Sequence, residues 1–342
     1  MSAYKKIKLP EDCLPHDENI EWWYFNGHLK AQNGNSYSFM DCLFKANPRK
    51  LNIPYFRKIF RRQKNIYFAH SVLLDIKNAK SYKEIQNISI LSKDSFKRPL
   101  FFANYCDFMA VAKGYINHEI AEISPNVFHI KTENLDLTMT ARKKPLLENG
   151  NGYISVDNKF SYYYSLTDLK TEGLINIKGE WVEVTGRSWF DHQWANGAYN
   201  KDQWTWFSFQ LDNGTDIMCV EYDNGKSKDY LADLIRKDGT QKHYKKVEFI
   251  PGKDKWSSRK TKAKYPMSWT IKLPEENLEL NVKAMIYDQE MIFGPINYWE
   301  GPVAVNGGVG FMELVGYPSD YNPLILAGVR LAQKIKKRIG RK

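Results

Sequence analysis

The sequence predicts an all-β chain of barrel or sandwich type, and three observations carry that prediction. Short runs of strand formers recur at a spacing of about 8 to 12 residues, the rhythm of such folds. Hairpin-type signals such as Gln32-Asn33-Gly34-Asn35 and Asp212-Asn213-Gly214 separate several of them. The richest runs are aromatic and alternate with a period of two. At 342 residues the chain exceeds the usual size of one core, so two units of roughly 150 to 190 residues are expected. Hydrophobic residues at 43% and aromatics at 14% suffice to fill them.

The elements follow in order. Asn19 to Leu29 is a strand rich in aromatics, and Ser36 to Lys45 is its return. From Asn47 to Lys64, Leu51, Tyr55, Phe56, Ile59 and Phe60 interleave with Arg57, Lys58, Arg61 and Arg62, which predicts a short basic amphipathic helix. It reads either as a solvated excursion or as a membrane-facing lid. Tyr67 to Ile76 is a strand, and the signal weakens from residue 80 to about 112. Strands are then expected at Gly114 to Ile123, Val127 to Thr132, Leu135 to Ala141, Phe160 to Thr167, Leu174 to Lys178 and Glu180 to Thr185. Gly186 is expected to let the backbone turn, and Gly186 to Trp194 crowds an acid, an imidazole and two indoles together. Later strands are expected at Gln203 to Leu211, Asp216 to Asp223, Asp229 to Arg236, Lys246 to Ile250, Ser268 to Leu273, Leu278 to Met285 and Val309 to Val315. From Leu324, apolar residues recur every three or four positions amid Lys and Arg, a second basic amphipathic helix that either lies on an anionic membrane or packs on its own barrel.

Net charge is +11, but its distribution excludes a broad nucleic-acid surface. Residues 45–64 carry eight Lys/Arg and residues 330–342 carry seven, with no acid in either segment, so the remaining body is slightly acidic. The basicity is not on the aromatic strands that would stack bases. No nucleic acid is expected, and an anionic membrane surface is the candidate partner of residues 45–64 and 324–342. Four scattered cysteines form no C-x-x-C pair, which fits a reducing compartment. With no signal-peptide pattern at Met1 to Pro10, a cytoplasmic location is expected, peripheral on the inner membrane face if the basic segments bind there. Dispersed histidines give no metal motif. Glycines within Val305 to Gly310 read as strand glycines, because no Lys-Ser/Thr follows them.

Candidate site residues come from the aromatic strands. Glu21 heads Trp22-Trp23-Tyr24 and needs a partner if it is buried. His70 lies in an apolar strand, either as a hydrogen-bonded core residue or as a catalyst. By period two, Trp204, Trp206, Ser208 and Gln210 share a face suited to a ligand wall, while Glu221 and Asp223 share one face of the next strand and Tyr222 the other. Tyr298-Trp299-Glu300-Gly301 repeats the tryptophan-beside-glutamate chemistry of the first strand.

Glu21-Trp22-Trp23-Tyr24 with Gly27-His28-Leu29, Ala69-His70 with Asp75, Tyr162-Tyr163-Tyr164-Ser165 with Thr167, Trp189 to Trp194, Tyr298-Trp299-Glu300-Gly301 and Glu313-Leu314-Val315-Gly316-Tyr317 together resemble the AttH-like family. That family includes the carotenoid 1,2-hydratases (hydroxyneurosporene synthases) and kievitone hydratase. The resemblance covers about residues 15 to 320. It implies two tandem lipocalin-like (calycin-type) β-barrels, residues 1–186 and 187–320, which the basic amphipathic helix read from the spacing over 321–342 follows as a tail. Such barrels hold one small ligand inside. It also implies a cofactor-free hydratase or cyclase acting on an apolar isoprenoid or polyene. His192 and Trp194 match the family's His-x-Trp pair, whereas the Tyr and Asp of the following strand have only Glu221, Tyr222 and Asp223 to correspond to.

Hydration of an alkene needs a proton donor, shelter for a carbocation and a positioned water. The expected donor is Asp191 or Glu221, the aromatic wall is Trp194 with Trp206, and the base is His192. Asp191 with His192 has a purely structural alternative as a buried pair. Trp204, Trp22, Trp23, Tyr24, His70, Tyr163, Trp299, Glu21 and Glu300 are expected to line the ligand. A non-catalytic lipid or pigment carrier with the same barrels is the alternative function.

Overall fold

The computed structural model describes residues 4–50, 62–113, 118–156, 159–197, 202–293 and 297–317. The core of the first expected basic helix and all of the second lie outside the described residues. Among the described residues the chain is almost entirely strand, with short 3-10 turns. No described helix is long and apolar enough to cross a membrane.

Ten strands close into a ring: Lys159–Ile177, Glu180–Ala195, Ile20–Ala31, Ser36–Ala46, Ile66–Asp75, Lys80–Leu91, Phe102–Asp107, His118–Ser124, Val127–Lys131 and Leu135–Ala141, which pairs back onto Lys159–Ile177. The second sheet is an open path rather than a second closed ring. It runs Gln241–Tyr244, Lys228–Ile235, Asp216–Asp223, Gln203–Leu211, Gly308–Val315, Asn297–Val305, Leu278–Ala284, Ser268–Leu273 and Glu248–Pro251, with Glu290–Ile292 added on Asn297–Val305. Its outermost strands are not paired with each other, which makes it a curved half-barrel.

Strand alternation then builds three cores. Odd residues of Ile20–Ala31 (Trp23, Phe25, Leu29) join Phe39, Phe101, Tyr105, Phe128 and Phe190 and fill the ring. Phe207, Phe209, Trp269, Trp299 and Met312 fill the concave side of the half-barrel. The opposite faces meet in a layer of Tyr24, Tyr163, Trp189, Trp206, Tyr298 and Phe311. Strands covered on both faces are apolar almost throughout, so the aromatic run at Trp22 to Phe25 carries no simple in-out alternation. Side chains occupy both interiors.

Two further expectations are corrected. The Glu180–Ala195 strand pairs with the whole of Ile20–Ala31, through its residues Val184 to Ala195. The change of sheet therefore falls within residues 196–202, and residue 186 is the middle of a strand. Gly186 makes no turn either: it sits between Leu29 and Thr171. A Cβ there would lie 2.0 Å from the His28 carbonyl oxygen, so glycine is required by close backbone approach. Gly186→Ala is expected to cost about 1–3 kcal/mol, read as a lower midpoint in chemical denaturation. An unchanged midpoint would show that the neighbouring strand yields freely.

The weak signal between 80 and 112 hid two strands, Lys80–Leu91 and Phe102–Asp107. Lys80–Leu91 is largely half-exposed, which leaves its sequence polar.

Candidate functional site

Asp191 and His192 are neighbours in sequence and point to opposite faces of one strand, as a period of two dictates. They therefore belong to two separate clusters, and the expected joint action of Asp191, His192, Trp194 and Trp206 is corrected by the pleat.

His192 points into the ring with Trp23 and Trp194. Its Nε2 donates to Glu21 Oε1 at 3.0 Å. The Glu21 carboxylate also accepts from His16 Nδ1 at 2.8 Å and from Lys45 Nζ at 2.5 Å. Lys45 in addition donates to the His16 carbonyl, and the His16 ring stacks on Trp194 with centroids 3.8 Å apart. Burial opposes ionisation of Glu21, but hydrogen bonds from His16 and His192 and the charges of His192 and Lys45 outweigh it and hold the carboxyl at about 2. Burial lowers His192 to about 4 despite Glu21, so at neutral pH the imidazole is neutral and Lys45 is the counter-charge. Donor atoms of His16, Glu21 and His192 lie within 4.8 Å of one another, a proximity that the dispersed sequence positions did not announce. Lys45 already neutralises this carboxylate, so the cluster is an ion network that seals the ring beneath the N-terminal segment. Lys45, expected in a surface basic patch, is fully buried here.

Asp191 faces the second sheet. Strand register sets Ser165, Asp191, Tyr24, Cys42 and His70 side by side across five adjacent strands. The facing sheet sets Val220, Trp206, Glu313 and Glu300 in a second row. Asp191 Oδ1 accepts from Trp189 Nε1 at 2.6 Å and from Ser165 Oγ at 2.5 Å. Burial nevertheless raises its carboxyl to about 7, against the hydrogen bonds that favour the anion. Trp206 Nε1 donates to the Tyr163 hydroxyl at 3.0 Å. Across the gap, His70 Nε2 lies 3.3 Å from Glu300 Oε2, within ion-pair range but not aligned as a hydrogen bond. Both His70 nitrogens, Glu300 Oε2 and the hydroxyls of Tyr24 and Tyr298 are buried with no hydrogen-bond partner among the described residues. Buried polar groups are normally paired, so this convergence of unpaired ones sets the layer apart from an ordinary apolar core.

Glu313 stands directly opposite Glu300. Burial and the Glu300 charge push its carboxyl well up, because two such neighbours do not both ionise. It keeps some accessible surface although protein surrounds it, as a group facing an internal gap does. The sequence reading did not select Glu313 as a site residue; its alternation with Phe311 and Val315 on one face was the available signal.

The remaining candidates divide. Trp22 and Trp204 are half-buried at the margin of the layer between the sheets. Tyr163, His70, Tyr24 and Glu300 lie within it. Trp23 and Glu21 face the ring, and Trp299 faces the half-barrel interior, donating to the Tyr287 carbonyl at 2.6 Å. Glu221 pairs opposite Thr205, on the face away from Trp206, and meets Lys228 at 3.1 Å with Asp223 at 4.0 Å from the same ammonium. Tyr222 donates to Asp202 at 2.7 Å. None of these three is brought to Asp191, and Glu221, half-buried and ion-paired to Lys228 on the face away from Trp206, is corrected as proton donor. His28, half-buried, is lowered to about 4 by desolvation and hydrogen-bonds Ser38 and the Gly310 carbonyl.

The fold finds counterparts in known proteins. Dehydratase asqC of Emericella nidulans is 23% identical over 208 residues, which span 58% of this chain and 56% of that protein; the chain thus matches little more than half of that relative's length. A crystal structure of a Nitrosomonas europaea protein assigned as AttH superposes with a TM-score of 0.71 at 24% identity, covering 92% of this chain and 98% of the other. Kievitone hydratase from Nectria haematococca superposes with a TM-score of 0.66 at 16% identity, covering 91% and 93%. The AttH-like family profile matches residues 1–317. With ring, half-barrel and motif strands all inside that span, the chain belongs to the AttH-like family.

Proposed function

We propose that the protein is an acid–base hydratase or dehydratase, or a cyclase using the same acid, acting on a small, largely apolar molecule held between the two sheets. The observation that carries this reading is the Asp191 carboxyl, protonated up to about pH 7 and set in an aromatic layer, in one row with Tyr24 and His70 on the same sheet face, where the His70 nitrogens and the Tyr298 hydroxyl have no hydrogen-bond partner among the described residues. Dehydratase and hydratase are the names of a relative and of a structural counterpart, which supports the reaction class. An isoprenoid or polyene substrate is the finer part of the proposal, supported by the indole and phenol walls.

In the hydration direction Asp191 delivers its proton to the less substituted alkene carbon. The indole faces of Trp189, Trp204 and Trp206 then shelter the tertiary cation. Water attacks as His70, with the Glu300 carboxylate 3.3 Å from its Nε2, takes its proton; dehydration is the reverse. The test is incubation with a trisubstituted terpenoid alkene in isotope-labelled water, with labelled tertiary alcohol as the expected product. Retention of the alkene without conversion would favour a carrier instead. His70→Asn is expected to lower the rate by about a hundredfold at unchanged stability. An unchanged rate removes His70 from the chemistry.

An anionic membrane surface as partner of the basic segments stays part of the proposal, with Lys45 removed from the patch. Flotation with anionic vesicles should fail for a chain ending at residue 317; equal flotation sinks it.

A further inference from the structure

The proposed donor is fully buried, which raises the question of how it regains a proton. Ser165 Oγ lies 2.5 Å from Asp191 Oδ1 and 2.6 Å from Glu148 Oε1. A hydroxyl has one proton, so it can donate to only one of these carboxyls and must accept from the other. One of the two acids is therefore protonated in this arrangement. Beyond Glu148, its second oxygen Oε2 and Asp233 Oδ1 are buried without another hydrogen-bond partner among the described residues. The two carboxyls interact as a coupled pair, in which burial and the Asp233 charge push Glu148 well up. Two buried carboxyls in contact share a proton. Asp233 Oδ2 is fixed by the Asn149 backbone N–H at 2.8 Å. Asp233 Oδ1 lies 3.8 Å from Nδ1 of His243, whose side chain is 43% exposed, a gap that ring rotation or one water closes.

We propose that Asp191, Ser165, Glu148, Asp233 and His243 form a proton relay from the site between the sheets to solvent. This rests on Asp191 being the proton donor. When Asp191 gives its proton away, Ser165 passes its hydroxyl proton to the carboxylate and takes one from Glu148. Glu148 is refilled from Asp233, and Asp233 from solvent through His243. One proton enters at His243 for each one leaving Asp191, and the proton released by the attacking water closes the balance. The loop at Glu148–Gly150 connects the sheets: it carries Glu148 from the ring side, and a Cβ added at Gly150 would meet the His243 ring at 3.5 Å. No member beyond Asp191 touches the substrate, so Ser165, Glu148, Asp233 and His243 act through Asp191.

The test does not need the substrate. Infrared spectra of the full-length protein at neutral pH should show neutral-carboxyl bands, one of which disappears in Asp191→Asn and so identifies that group. After rapid mixing into deuterium oxide, the Asp191 band should exchange about tenfold more slowly in Ser165→Ala and His243→Ala than in the parent. Added imidazole should restore His243→Ala and not Ser165→Ala. His243 is at the surface, so its variant reads the relay even if the Ser165 variant misfolds. Equal exchange in parent and His243→Ala overturns the relay while leaving Asp191 a neutral acid. A spectrum in which Asp191→Asn removes no neutral-carboxyl band overturns the donor reading and the relay with it.

Discussion

Asp191→Asn is expected to lower turnover by about a hundredfold to ten-thousandfold, the usual worth of a positioned general acid, while the protein stays folded. Asparagine is nearly isosteric and can still accept from Trp189 and Ser165. In the parent enzyme the rate should be highest below pH 7 and fall as pH rises through about 7, where the carboxyl ionises. Stability must move the same way. The folded carboxyl keeps a proton that the unfolded one has lost above its ordinary 3.8. Its contribution is therefore full below that value and is lost as pH rises through about 7. Asp191→Asn abolishes this loss, so the variant should be more stable than the parent at alkaline pH, by on the order of a few kcal/mol. Denaturation midpoints at acid and alkaline pH, beside a pH–rate profile, check both halves. A variant with full activity, or a parent whose rate rises through neutrality, would remove Asp191 as donor.

The aromatic strands and their turns were legible because their chemistry is local: Trp204 and Trp206 share a face by counting residues, and Glu300 stands out beside its tryptophan. What failed was inference of proximity from sequence crowding. Asp191 and His192 looked like a pair, although the same period-two count that grouped Trp204 with Trp206 separates them across the strand. Glu313 was hidden because its strand reads as apolar, and only the register opposite Glu300 makes it chemical. Lys45 was grouped with a basic segment by charge, whereas the pairing of Glu21 opposite Lys45 draws it inside. Register and sheet-on-sheet packing are long-range facts, and no spacing rule within one strand contains them.

Lys45→Met should be among the most destabilising single changes in the ring, at about 3–5 kcal/mol, because it strands a buried carboxylate. Glu21 is held ionised by three side chains, His16, His192 and Lys45, and its counter-charge is Lys45. Without it, the carboxylate keeps only hydrogen bonds from neutral His192 and from His16. The hydrophobic gain from methionine is too small to offset this, since the stem of Lys45 already packs in place. Charging an imidazole is the remaining way to compensate Glu21, so His192 should titrate higher in the variant. A raised histidine contributes stability at low pH and loses it as pH rises through its folded value, so the defect should be milder in acid than at neutrality. In the parent the sense is opposite: His192 at about 4 costs stability as pH falls from 6.5 towards 4. Glu21→Gln in the Lys45→Met background should recover much of the loss, because a neutral amide no longer needs a counter-charge. Chemical denaturation of the parent, both single variants and the double variant closes the cycle. If the double variant is as unstable as the sum of the singles, the pair is uncoupled and the ring is sealed by packing alone.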